Sequence, residues 1–74
     1  MNTQKLTSKQ KTILDAIGEI IDQEKENPTT YRIHKYLEGR GVEMGSLKGT
    51  VQVIEALEKK DVVKRDEDKK IYLI

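Results

Sequence analysis

Residues 46–65 read SLKGTVQVIEALEKKDVVKR, and the spacing of apolar residues changes period inside this stretch. Leu47, Val51, Ile54 and Leu57 recur at three- and four-residue intervals with Thr50 between them, which gathers them on one side of a helix. Lys48, Gly49, Gln52, Ala56 and Lys59 fall on the other side. The helix is expected over 46–60 with Ser46 as its cap, although Glu43 offers a start one turn earlier. After Asp61 the period drops to two. Val62-Val63-Lys64-Arg65 and Lys70-Ile71-Tyr72-Leu73-Ile74 flank the turn-prone Asp66-Glu67-Asp68-Lys69, which predicts a two-stranded hairpin over 62–74. Val63, Ile71 and Leu73 are expected to face the helices, and Lys64 and Tyr72 the solvent.

Upstream, two more helices are needed to complete a core. Thr7 and Gln10 stand three apart, as in a capping box, and Ile13, Leu14, Ile17, Ile20 and Ile21 form an apolar stripe, so a helix is expected over 7–25. Gly18 lies within that stripe and points to close packing there, because glycine costs about 1 kcal/mol relative to alanine in a helix. Asn27-Pro28 ends the segment, since proline cannot continue the hydrogen-bonded ladder. Thr29 and Thr30 both suit the cap of a helix over 30–39, with Ile33, Tyr36 and Leu37 on one face. Gly39 or Gly41 can end it in a left-handed conformation, with Val42 as an apolar plug. The fold class is mainly α with a small antiparallel hairpin (α+β), in the order helix, helix, helix, hairpin.

At 74 residues the chain is expected to be one domain, 1–74. With neither Phe nor Trp, the core falls to Ile, Leu and Val, with three Tyr as its aromatics. The absence of Cys removes disulfides and thiolate metal sites, and fits a reducing, cytoplasmic location. No apolar run is long enough to cross a bilayer and no signal pattern opens the chain, so no membrane partner is expected. Charged residues make up 36% of the chain, with 11 Lys and 8 Glu, a composition of the kind enriched in hyperthermophile proteins. The net charge of +1 argues little by itself; its distribution argues more. Residues 1–12 carry Lys5, Lys9 and Lys11 and no acid, whereas residues 13–28 carry five acids against Lys25.

These elements in this order form the winged helix-turn-helix arrangement, and two stretches carry a closer likeness. Leu6-Thr7, Gln10, Ile13-Leu14 and Ile17, followed by Pro28-Thr29, Ile33 and Leu37, resemble the N-terminal DNA-binding domain of LexA-type repressors. Residues 50–65 resemble the recognition helix and first wing strand of MarR-like regulators. Three features depart from the pattern: the turn before the third helix is longer than in LexA-like domains, Asp61 stands where Gly is usual, and the wing tip is acidic. The LexA family's self-cleaving domain is not among these residues, so no Ser-Lys protease chemistry carries over.

The resemblance implies double-stranded DNA as the partner, with the third helix in the major groove and the protein acting as a small transcriptional repressor. Gln52 is the expected base reader, since its amide can pair with adenine. Lys48 is expected on guanine or a phosphate, Ser46 on a phosphate, and Lys59 belongs to the same face. Gly49 is expected to let the helix approach the groove closely, in preference to serving a contact inside the domain. Thr30 and Tyr31 open the second helix, where a phosphate suits the amides; the competing reading has Thr30 only capping and Tyr31 packed on the core. Lys9, Lys11, Arg32 and Lys35 either hold the backbone or simply solvate helix faces. In the wing, Lys64, Arg65, Lys69 and Lys70 suit phosphates, while Asp66, Glu67 and Asp68 oppose them.

His34 is read as a surface residue, and no metal or other cofactor is expected. Neither a Cys-His or Ser-His arrangement nor a phosphate loop is present, so the chain is not read as an enzyme. A second reading remains open, a winged-helix module docking on protein within a replication or transcription complex. RNA is disfavoured for want of an aromatic stacking platform. A monomer, or a weak homodimer assembled on palindromic DNA, is expected.

Overall fold

The computed structural model describes residues 6–74; Lys5, one of the N-terminal cations, lies outside them. Helix α1 (Ser8–Glu24) begins with the expected capping box. The Thr7 hydroxyl accepts the Gln10 amide at 3.1 Å, and the Gln10 side chain accepts the Thr7 amide at 3.0 Å. Helix α2 (Thr30–Gly39) is capped by Thr29, whose hydroxyl accepts the Arg32 amide at 3.2 Å, so Thr30 is the first helical residue. Helix α3 (Leu47–Lys59) follows a loop, and strands β1 (Val63–Arg65) and β2 (Ile71–Leu73) pair antiparallel with Lys64 opposite Tyr72.

Helices α2 and α3 end alike. Gly41 is left-handed at φ +78°, its amide donates to Glu38, and the Val42 amide donates to Leu37. After α3, Asp61 takes the same conformation at φ +60°, with its amide on Glu58 and the Val62 amide on Leu57. Both are Schellman closures, and both bring the next apolar residue back onto the helix. Asp61 thus fills a glycine position with a side chain that disfavours the left-handed region. Asp61→Gly is expected to raise the unfolding free energy by about 0.5–1 kcal/mol, measured by urea denaturation; an unchanged or lower midpoint counts against it.

Ile13, Ala16, Ile17 and Ile20 of α1 meet Ile33 and Leu37 of α2, Ile54 and Leu57 of α3, and Val63 and Ile71 of the hairpin in one core. Met44, from the loop before α3, joins them. The tyrosines do not: Tyr31 is 60% exposed, and Tyr36 and Tyr72 sit at the rim. Leu73 also departs from expectation at 45% exposure: the hairpin buries Ile71 and Val63 against the helices, and Leu73, opposite Val63 near the end of the chain, is left at the margin of that contact. Gly18 has nothing within 4 Å of an added Cβ, so close packing is not the reason for it.

His34 is corrected outright. It is buried, 7% exposed, with Nδ1 2.8 Å from the Thr50 hydroxyl and Nε2 3.3 Å from Glu38. It follows Ile33 on the side of α2 that meets α3, and the fully buried Thr50 supplies the polar partner that a half-apolar helix face does not reveal.

The hairpin is tied to the start of α2 by three contacts. The Ile71 amide donates to the Pro28 carbonyl at 2.7 Å, Asn27 donates to the Ile71 carbonyl at 3.0 Å, and Thr29 bridges Lys70. The extended Asn27-Pro28-Thr29 segment therefore serves as a short third edge of the sheet.

Candidate nucleic-acid interface

Beyond Leu47 in its first turn, which is 40% exposed against expectation, helix α3 exposes one narrow stripe. Lys48, Gln52, Glu55 and Lys59 are all exposed, and at 100° per residue they lie within an arc of about 60°. Ala56 and Gly49, expected on this face, are half-buried at its side toward α1. Glu55, which the sequence reading passed over, stands between Gln52 and Lys59 along the helix, at the edge of the arc away from α1; the same helical periodicity that selected Gln52 would have found it.

Gly49 answers to a contact inside the domain. A Cβ there would stand 2.8 Å from the carbonyl oxygen of Met44, closer than a Cβ contact allows. The expected preference for approach to a groove is therefore corrected: the glycine lets α3 press against the loop that carries Met44 into the core.

Ser46 occupies the cap position of α3, and its carbonyl accepts the Gly49 amide at 3.0 Å, but its side chain makes no capping bond. The hydroxyl and the first-turn amides of Leu47 and Lys48 are thus left to other partners.

Two grooves flank the stripe. One, of about 610 Å³, lies between Thr29 and Thr30, Val51 of α3, and the wing from Arg65 to Lys69. The other, of about 270 Å³, lies between Thr7, Lys9 and Gln10 at the start of α1 and Gln52 and Ala56 of α3. Helix α3 is therefore a ridge between two troughs, with Lys9 in one trough and Lys69 in the other.

The cations divide into held and free. Arg65 is paired with Glu58 of α3 at 2.8 Å, and Lys70 with Glu26 at 3.7 Å. Arg32 pairs with Glu24 and Lys35 with Glu38, so these two belong to intramolecular ion pairs. Among the described residues, Lys9, Lys11, Lys48, Lys59, Lys64 and Lys69 have no acidic side chain at ion-pair distance. Tyr31 stands in solvent with the Lys35 ammonium 6.0 Å from its ring, which removes the core-packing reading.

The acidic tip is partly a folding device. One oxygen of Asp66 accepts the amides of Asp68 and Lys70, both at 2.9 Å, and the other accepts the Tyr72 hydroxyl at 2.9 Å. The Lys69 amide donates to the Asp66 carbonyl, and Lys69 is left-handed at φ +64°, so the turn is a type I turn closed by a bulge. The Lys70 amide, then the Tyr72 hydroxyl, hold the Asp66 carboxyl below its usual range, and the Asp66 carboxylate pushes the Tyr72 phenol up. The Asp66 contribution is complete above the ordinary carboxylate range and is lost as pH falls through the lowered value. Glu67 and Asp68 keep their carboxylates in solvent.

Among the described residues, no group of His, Cys, Asp and Glu is placed to hold a metal ion, and no helix is long and apolar enough to cross a membrane.

The family model of the LexA DNA binding domain matches residues 3–70. The chain belongs to the LexA DNA-binding domain family. The match spans all three helices, β1 and the turn of the wing, and assigns DNA binding to this fold. No curated protein matches the chain.

Proposed function

We propose that the domain is a small transcriptional repressor of the LexA-domain kind that reads double-stranded DNA with α3 in the major groove. The exposed ridge of Lys48, Gln52, Glu55 and Lys59, flanked by two troughs, carries this reading. A helix about 10–12 Å across matches a major groove about 12 Å wide, and the troughs then receive the two phosphate strands. Gln52 reads adenine, Lys48 and Lys59 meet guanine or phosphate, and Ser46 offers its unbonded hydroxyl to a phosphate. Gly49 sits beside them without a reading role of its own.

On the wing side, Thr30, Tyr31, Lys64 and Lys69 steady the backbone. Arg65 and Lys70 take a lesser part, since DNA must compete with Glu58 and Glu26 for them. The domain acts in the cytoplasm, where the chromosome of a cell without a nucleus lies, as a monomer on a half-site or as two weakly associated copies on a palindrome.

Selection from a randomised duplex pool, followed by salt titration, tests this. Gln52→Ala is expected to relax preference at one base pair. Lys48→Ala is expected to weaken binding to all sequences and reduce the logarithmic salt slope by about 0.9. No enriched sequence, with binding indifferent to salt, would overturn the reading and favour a protein partner instead.

A further inference from the structure

We propose that Glu55 is a specificity-determining residue that selects a cytosine beside the base pair read by Gln52. This rests on α3 lying in the major groove. Glu55 is exposed on the ridge between Gln52 and Lys59 along the axis, and Lys48, Gln52 and Glu55 are spaced by four and three residues, a spacing at which a groove-lying helix presents successive side chains to bases. Along the axis, Gln52 and Glu55 are separated by about 4.5 Å, against about 3.4 Å for one base-pair step, so adjacent pairs are within their reach.

The acids around Glu55 have other work. Glu58, less than one turn away, holds Arg65, and Asp66 holds the wing turn. Among the described residues Glu55 has no cation at ion-pair distance, although Lys59 lies four residues on, where a helical pair could close. Its carboxylate is therefore presented to whatever the ridge meets.

A carboxylate only accepts hydrogen bonds. In the major groove, guanine offers acceptors, thymine an acceptor and a methyl group, and adenine a donor beside an acceptor. Cytosine alone offers an amino donor without an adjoining acceptor. At guanine or thymine the carboxylate is desolvated without a donor, at adenine the N7 acceptor beside the amino group opposes it, and the phosphates repel it throughout, so Glu55 acts chiefly by rejecting wrong sequences. Gln52, which can both donate and accept, takes adenine at the neighbouring pair.

The test compares wild type, Glu55→Gln and Gln52→Ala in duplex selection, with dissociation constants on the selected and an unrelated duplex at two salt concentrations. Melting curves verify that each variant folds. Glu55→Gln is expected to lose cytosine preference at one position, keep the preference that Gln52→Ala loses, bind unrelated DNA more tightly, and lower the specific-to-unrelated affinity ratio about tenfold. A folded Glu55→Gln with wild-type preference at every position overturns the proposal while leaving the α3 reading intact. A wild type that enriches no sequence removes both.

Discussion

Gly49→Ala is expected to destabilise the domain even though alanine is the better helix former. The new methyl carbon would stand 2.8 Å from the Met44 carbonyl oxygen, and the obstacle is backbone, which cannot rotate aside as a side chain can. Either the first turn of α3 lifts or the loop retreats and draws Met44, 6% exposed, out of the core. Overpacking of this kind costs about 1–3 kcal/mol, and the gain in helix propensity returns about 1, for a net loss of up to about 2 kcal/mol. The same substitution at Gly18, where space is open, is the internal control and is expected to stabilise by up to about 1 kcal/mol. Urea denaturation of both variants should bracket wild type; a Gly49→Ala midpoint at or above wild type would show that the loop yields freely. Because the disturbed turn carries Ser46 and Lys48, DNA affinity is expected to fall with stability.

Thr50→Val is the second large effect. It preserves shape but removes the hydroxyl 2.8 Å from His34 Nδ1, leaving a nitrogen of a buried imidazole without its partner. Stranding a buried polar group costs about 1–3 kcal/mol, which for a domain of this size lowers the melting temperature by about 4–8 °C for each kcal/mol. Thr50→Ser keeps the hydrogen bond and loses only a methyl group, so it is expected to lie closer to wild type. Calorimetric melting in the order wild type, Thr50→Ser, Thr50→Val supports the account; Thr50→Val melting with wild type refutes it. This bond joins α2 to α3, the two helices of the helix-turn-helix, so its loss is also expected to loosen the placement of the ridge.

The features legible beforehand are those that arise within a few residues along the chain. Thr7 and Gln10 announce their capping box, Pro28 with Thr29 or Thr30 the start of α2, Gly39 or Gly41 the end of it, and the shift from helical to alternating spacing after Asp61 the hairpin. Each depends on hydrogen bonds or backbone preferences local to the segment. The exposed face of α3 was half legible. Periodicity identified Lys48, Gln52 and Lys59 and reaches Glu55 as well, but it placed Gly49 and Ala56 beside them, because the sequence does not say where α1 shades the helix.

By itself, then, the sequence determined the order and bounds of the helices, the hairpin, and the LexA-domain family, since caps, breaks and apolar period act at short range. Only the tertiary structure decided what the chemically ambiguous residues do. His34 became a buried partner of Thr50 and Gly49 a seat for the Met44 carbonyl, while Arg65 and Lys70 were drawn to Glu58 and Glu26. The imidazole and the charged wing side chains find their partners across the fold, from 7 residues away for Arg65 to 44 for Lys70. What they meet there is set by how the helices pack, which no local spacing records.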